Sequence, residues 1–340
     1  VTESPTSPTR RPPEQWTLRQ PFGARSLAVA LAVTVLLALS ARHTEMDRLV
    51  VLSAEYVAHV LGLRRQSQVA RGVDRFVSTA FPLVIAEETP VSRLDGFDRA
   101  HLPLLSHLEM RETSSSEYDF SQQKMVQRTE TSEVLVRPVG YLVHVLAKML
   151  ESLEIALWAT LLGIALGAPV AYLGTRGYTP HAAVHALARG FAGFLRAPPE
   201  FVSALFLVLA FGFGPIAGVL ALGLHSAGFF GKFYADDIEN AEPGPQEALT
   251  SLGANKLEVL RFAALPQVLP QYLAYTQYVL ERNVRMATVI GVVGAGGIGV
   301  ELKGRFDMFD FGHVTTILLV IFLTVLGLER ISLWARARVL

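Results

Sequence analysis

The chain has 340 residues, no cysteine, 30 basic and 30 acidic side chains, and a hydrophobic share of 51% against 18% charged. Soluble proteins carry roughly 25% charged residues, and the mean hydropathy here is +0.37, which rules out a disordered chain and argues against an ordinary soluble enzyme. Zero net charge leaves no basic surface for nucleic acid, and the absence of thiols removes disulfides, thiolate catalysis and cysteine metal sites.

Residues 1–24 hold Pro5, Pro8, Pro12 and Pro13 together with Arg10, Arg11 and Arg19, the composition of a disordered cytoplasmic tail. Residues 25–42 contain an uncharged apolar run, 26–41, long enough to span a bilayer if Arg25 snorkels. A cleaved signal peptide is the rival reading. Segment 43–150 is expected outside the membrane. Its part 46–86 has helical apolar spacing that is too charged to span and suits amphipathic helices, whereas 113–132 has no apolar period and reads as a loop or flexible insert.

Five further spans fall in 151–335. Residues 155–175 carry no charge. Residues 201–231 are also uncharged, and 31 residues would make about 46 Å of helix, so the Gly212-Phe-Gly-Pro215 turn signal divides them. Helices over about 187–212 and 215–235 follow, the first interrupted near Ala197-Pro198-Pro199. The stretches 262–280 and 286–300 are expected to be broken by Glu281-Arg282-Asn283-Val284-Arg285, and 311–328 forms the last span. The fold class is therefore an all-α, polytopic membrane helix bundle of about six spans, without an internal repeat. Arg176, Arg189 and Arg196 lie in 175–196 without an acid, which sets that segment, 236–265 and both termini in the cytoplasm and 295–312 outside.

Gly294-Ala-Gly296-Gly297-Ile-Gly299 matches a dinucleotide-binding fingerprint in letters, but that fingerprint needs a βαβ unit, and a membrane-length apolar run precedes it here. Close backbone packing is the expected role of these glycines. No Walker A loop occurs, so the chain is not expected to bind or hydrolyse ATP, and the scattered histidines give no metal site. The cytoplasmic segment 242–266 is punctuated as a helical elbow. Pro245 suits a helix start with Gln246 and Glu247 in its first turn, Gly253 suits a left-handed C-cap, and a second short helix follows over 255–263.

Glu247, Ala248, Gly253, Leu265 and Pro266 stand at the spacing of the EAA loop of ABC importer permeases, with Leu249 and Ala263 replacing an alanine and an isoleucine of that pattern. Together with 224–228, 231–233, 265–271 and the stretch from Glu281 through Gly299, the segment resembles the PhnE-type phosphonate-transporter permeases across roughly 150–335. The resemblance implies a MetI-like, five-helix type I importer core in the bacterial inner membrane. It further implies a second permease copy in a homodimer, a cytoplasmic ATPase dimer carrying ATP and magnesium, and an extracytoplasmic substrate-binding protein. Glu247 would then contact the ATPase, Ala248 would pack closely, Gly253 would make the bend, and Leu265 and Pro266 would return the chain to the membrane.

Glu281, Arg282 and Arg285 lie at hydrocarbon depth, where an ionisable group costs at least ~2.5 kcal/mol and faces a cavity or a partner. Glu281 and Arg285 share a helix face. Arg285 and Asn283, with Glu281 and His225, are candidates for a translocation path for a phosphonate or phosphate-like dianion, since guanidinium matches tetrahedral oxyanions. An intersubunit salt bridge explains Arg285 equally. A permease for another small solute, or a secondary transporter or channel, is the alternative function; the latter would want inverted repeats and gives no reason for the elbow.

Overall fold

The computed structural model describes residues 23–63, 67–94, 97, 99, 102, 103, 105–119 and 124–339; most of the expected N-terminal tail lies outside them. Two compact units divide the chain, Val1–Val77 and Ser78–Leu340. In the first, α1 (Ala24–His43) is apolar, and its Arg25–His43 portion has the length of a span with none of its window buried in protein. Nineteen residues rise about 28 Å, which matches a hydrocarbon layer. A left-handed turn at Glu45 leads into α2 (Met46–Val60), whose Leu49, Val50, Val57 and Val60 are exposed. This helix and α3 (Gln68–Ala80) are amphipathic, as the spacing predicts.

The second unit opens with a sheet that the sequence reading lacked. Strands β1 (Glu87–Pro90), β2 (His107–Asp119) and β3 (Lys124–Arg137) form an antiparallel sheet in the order β1-β3-β2, with His107 opposite Val136 and Asp119 opposite Lys124. Residues 113–119 and 124–132 therefore belong to a β-ribbon rather than to a loop. Only its base, where Val134, Leu135 and Val136 are buried, carries an apolar signal. Beyond the base, the sequence is rich in Thr, Ser and charged residues and has no sustained apolar alternation.

Helix α4 (Gly140–Gly174) is far longer than the apolar run 155–175, because its first turns bury Tyr141, Val145 and Met149 against Val284, Ile298 and Ile317. Leu142 donates its N–H to Ile85 O at 3.2 Å, and Thr316 donates to Val84 O at 2.7 Å. Helices α5 (Ala182–Arg196) and α6 (Glu200–Phe211) make one broken span, bent by 86° at 197–199. Pro199 denies the ladder a donor, and a residue that precedes a proline leaves the helical region. Helix α7 (Pro215–Asn240) begins with proline in its first turn, after Gly214 at φ 140°. Glycines on α4 and α7 let these helices meet: a Cβ on Gly163 would come within 2.6 Å of Ser226 Cβ, and one on Gly167 within 2.7 Å of Phe230 Cβ. The Gly163-x-x-x-Gly167 spacing is the small-residue seam expected where apolar lipid offers helices no hydrophobic reward for association.

Past the elbow of residues 241–264, α10 (Leu265–Ile290) runs unbroken through Glu281–Arg285, contrary to the expected interruption there. Glutamate and arginine are good helix formers, and Glu281 and Arg285 pair within the helix, so charge alone does not interrupt it. The break comes instead at Gly294, Gly296 and Gly297, all at positive φ, before α11 (Ile298–Asp307). Helix α12 (Phe311–Val339) closes the bundle. Among the described residues four helices are long and apolar enough to cross a membrane, and the number is six if each of the two bent pairs counts as one span.

Candidate functional site

Three features of the second unit collect the residues singled out by the sequence. The first is the elbow between α7 and α10. Helix α8 (Pro243–Ser251) starts two residues before Pro245 and buries none of its residues. Its end is a Schellman turn: Gly253, at φ +86°, donates to Thr250 O at 3.0 Å, and Ala254 donates to Leu249 O at 3.1 Å. That pattern satisfies the last carbonyls of α8 and reverses the chain. Asn255 then caps α9 (Lys256–Val259) in a reciprocal box, accepting from the Glu258 N–H at 3.0 Å while Glu258 Oε2 accepts from the Asn255 N–H at 2.7 Å. A π-turn over Leu260–Ala264 joins it to α10, with Pro266 in the first turn.

Few bonds fasten the elbow to the bundle. Tyr178 donates to Gln246 Oε1 at 3.0 Å, and the Glu242 N–H donates to Gln267 Oε1 at 3.0 Å. A cavity of about 1000 Å³ lies between α8 and the Thr175–Tyr178 turn. Glu247, Ala248 and Gly253 are exposed, and so are Leu252 and Leu257, at 84% and 65%. The two leucines went unnoticed in the sequence, where an apolar residue beside a C-cap reads as core; their exposure leaves an apolar surface on an outward-facing corner.

The second feature is the glycine loop. A Cβ on Gly294 would run into the Phe213 ring, one on Gly296 would come within 3.0 Å of Pro215, and one on Gly297 would meet Ser152. Backbone groups here replace side chains as partners. Glu151 Oε1 accepts from the Gly297 N–H at 2.9 Å, and Ser152 Oγ accepts from the Ile298 N–H at 2.8 Å. A glycine-rich loop opening a helix holds anions in nucleotide folds; at this one the anion is the chain's own Glu151, itself paired with Lys148 at 2.9 Å.

The third feature lies among the charges of α10, and the structure separates residues that the sequence had grouped. Asn283 is fully buried, its Nδ2 donating to Thr160 Oγ1 at 3.0 Å and Ser226 Oγ at 3.1 Å. It ties α10 to α4 and α7, the amide finding its partners in neighbouring helices. Replacing it with leucine strands the buried Ser226 hydroxyl, whereas Thr160 still donates to Ala156 O at 2.8 Å; at a cost of about 2 kcal/mol, Asn283→Leu is expected to lower the detergent melting temperature by several degrees. A melt unchanged from wild type would show that the clamp contributes nothing.

Arg285 donates to Glu281 Oε1 at 2.7 Å within α10 and is 45% exposed. His225 lies elsewhere, with Nε2 3.3 Å from Glu200 Oε1; Arg282 Nη2 is 3.8 Å from the same oxygen and its guanidinium is stacked 5.8 Å from the Phe229 ring centre. Glu200 and Arg282 join the candidate residues here. Glu200 is invisible in the sequence because it follows a proline pair at what looks like a span boundary, and only the fold of the broken span brings it to α10.

The family model described as the binding-protein-dependent transport system inner membrane component matches residues 159–336. HtxE of Stutzerimonas stutzeri, named for a phosphite transport system permease, is 52% identical over 260 residues, covering 76% of this chain and 100% of the relative. PhnE of Mycolicibacterium smegmatis, named a phosphate-import permease, is 40% identical over 55% of this chain and 35% of its own length. PtxC of Stutzerimonas stutzeri, a phosphite transport system permease by name, is 42% identical over 51% of this chain and 63% of its own. Among solved structures, a chain of the inward-facing MetNI methionine ABC transporter superposes with a TM-score of 0.51 at 19% identity, covering 58% of this chain and 96% of that one. The chain belongs to the binding-protein-dependent transport system inner membrane components, as the non-catalytic permease subunit of an ABC importer whose ATPase is a separate subunit.

Proposed function

We propose that this permease imports a phosphorus oxyanion, phosphite or a phosphonate or phosphate, as one of two identical copies driven by a cytoplasmic ATPase pair. Both chain termini and the elbow face the cytoplasm, and a binding protein delivers substrate from outside. The relatives named for phosphite and phosphate transport support the substrate class. The observation that carries the coupling role is the elbow: two capped helices meeting at Gly253, loosely tied to the bundle and presenting Glu247, Ala248, Leu252 and Leu257 outward. A rigid corner of this kind transmits a partner's motion to α7 and α10, with Leu265 and Pro266 as its attachment.

The half-exposed Arg285 supports the second copy. An arginine within a span cannot face lipid cheaply, so its open side turns to a water-lined path shared between two permeases. Glu281 sets its position, and the glycines from Gly294 to Gly299 hold the neighbouring helices in register.

Uptake in cells carrying the permease, its ATPase and its binding protein tests the reading. Vanadate-sensitive accumulation of phosphite, phosphate or methylphosphonate is expected, together with copurification of the ATPase. Uptake that persists without the ATPase, or accumulation of none of the three anions, would overturn it.

A further inference from the structure

The corner at which α6 begins is unusual for the middle of a membrane bundle. The 86° bend sets the first turn of this 12-residue helix against α7 and α10, so that Glu200 meets both His225 and Arg282. His225 is ten residues from the start of α7, about 15 Å from that end, and Arg282 is eight residues from the end of α10, about 12 Å. Both therefore lie well inside the hydrocarbon layer. Arg196, the last residue of α5, acts electrostatically on the same imidazole. One guanidinium group and an imidazole thus share the Glu200 carboxylate, with the Arg196 guanidinium close by.

The hydrogen bonding is incomplete in a directed way. Arg282 Nε and Nη2 and Arg196 Nε are buried without a hydrogen-bond partner. Buried polar groups are otherwise almost always bonded, and every guanidinium atom in this set is a donor. Glu200, with Arg282 Nη2 3.8 Å away, balances charge without satisfying these donors. Arg285 offers no such surplus, being bonded to Glu281 at 2.7 Å. The start of a half-helix at membrane depth adds the positive end of a dipole, the arrangement by which broken membrane helices receive anionic groups.

The geometry points to Arg282, His225 and Arg196, with the first turn of α6, as a receiving site for a tetrahedral phosphorus oxyanion partway through the bundle, where Glu200 occupies the anion position until substrate displaces it. This inference rests on the phosphorus-oxyanion reading above and places the selective contact in the membrane subunit as well as in the binding protein. The substrate supplies several acceptor oxygens to donors that one carboxylate leaves unfilled, and planar guanidinium forks match such oxygens pairwise.

Phosphite uptake by the importer reconstituted in liposomes with its ATPase and binding protein is measured for wild type, Arg282→Gln, Glu200→Gln and the double variant. Arg282→Gln is expected to lose roughly tenfold or more of the uptake, and the double variant is expected to stay low. In phosphate-free neutral detergent without the binding protein, the Glu200→Gln complex is expected to gain a phosphite-dependent rise of several degrees in melting temperature, absent from Arg282→Gln; a rise under those conditions also distinguishes the free anion from a lipid headgroup. Wild-type uptake by Arg282→Gln, or restored uptake in the double variant, would identify a plain ion pair and overturn the inference. If Arg282→Gln does not copurify with the ATPase, the Glu200→Gln melt decides, and no shift with phosphite overturns it. A wild-type importer that moves none of phosphite, phosphate and methylphosphonate refutes the substrate reading instead.

Discussion

Gly253→Val is expected to reduce transport by roughly tenfold or more, with the melting temperature of the membrane bundle unchanged. Gly253 sits at φ +86°, and nothing lies within 4 Å of the position a Cβ would take. The obstacle is therefore the backbone conformation alone, which a β-branched residue adopts at a cost of roughly 1–3 kcal/mol. Since about 1.4 kcal/mol is a factor of ten in population, the Schellman turn opens and the angle between α8 and α9 is lost. The bundle escapes because α8 buries nothing and the elbow is held by few side-chain bonds. Gly253→Asn, which tolerates the left-handed region, is expected to keep most of the transport, with Gly253→Ala between the two. Transport by Gly253→Val at the wild-type rate would remove the elbow from the coupling route, and an equal fall in melting temperature would reduce its effect to instability.

The elbow was legible in the sequence because its signals are local: a glycine where the chain must turn left-handed and a proline in a first turn. The broken α5–α6 span was legible for the same reason, since the Pro198-Pro199 pair marks the bend wherever the helices go. What the sequence hid depends on contacts between distant segments. The sequence of β2 and β3 has no sustained apolar alternation beyond the base, so hydropathy has nothing to register. The unbroken α10 misled the reading because charge was taken as a breaker, although Glu281, Arg282, Asn283 and Arg285 each find a partner within or across helices. Asn283 and Arg282 differ by one position, a rotation of about 100° around the helix. That rotation turns one into a three-helix clamp and the other toward Glu200, a distinction no spacing rule supplies without knowing where α4, α6 and α7 lie.

Two alanine substitutions five positions apart in α11, at Gly299 and Gly304, should move stability in opposite directions. At Gly299, in the first turn of α11, a Cβ would press against the Thr288 carbonyl oxygen and come within 2.8 Å of Gly291 Cα. The reciprocal substitution at Gly291 meets Gly296 O at 2.6 Å and Gly299 Cα at 2.7 Å. All of these are backbone atoms, so no rotamer change relieves the overlap and α11 must separate from the end of α10. Overpacking of this kind costs about 3 kcal/mol, and Gly299→Ala is expected to yield little folded permease by fluorescence-detected size exclusion. Gly304, in the same helix, has open space around its Cβ position and no positive φ, so Gly304→Ala is expected to raise the melting temperature slightly through the lower entropy of its unfolded chain. Equal behaviour of the two variants would mean that the glycine loop is a flexible connection rather than a packed joint. A joint is what the two-ended anchoring by Glu151 and Ser152 requires, because their bonds to Gly297 and Ile298 hold only while the backbone of α11 stays in contact with α10 and α4.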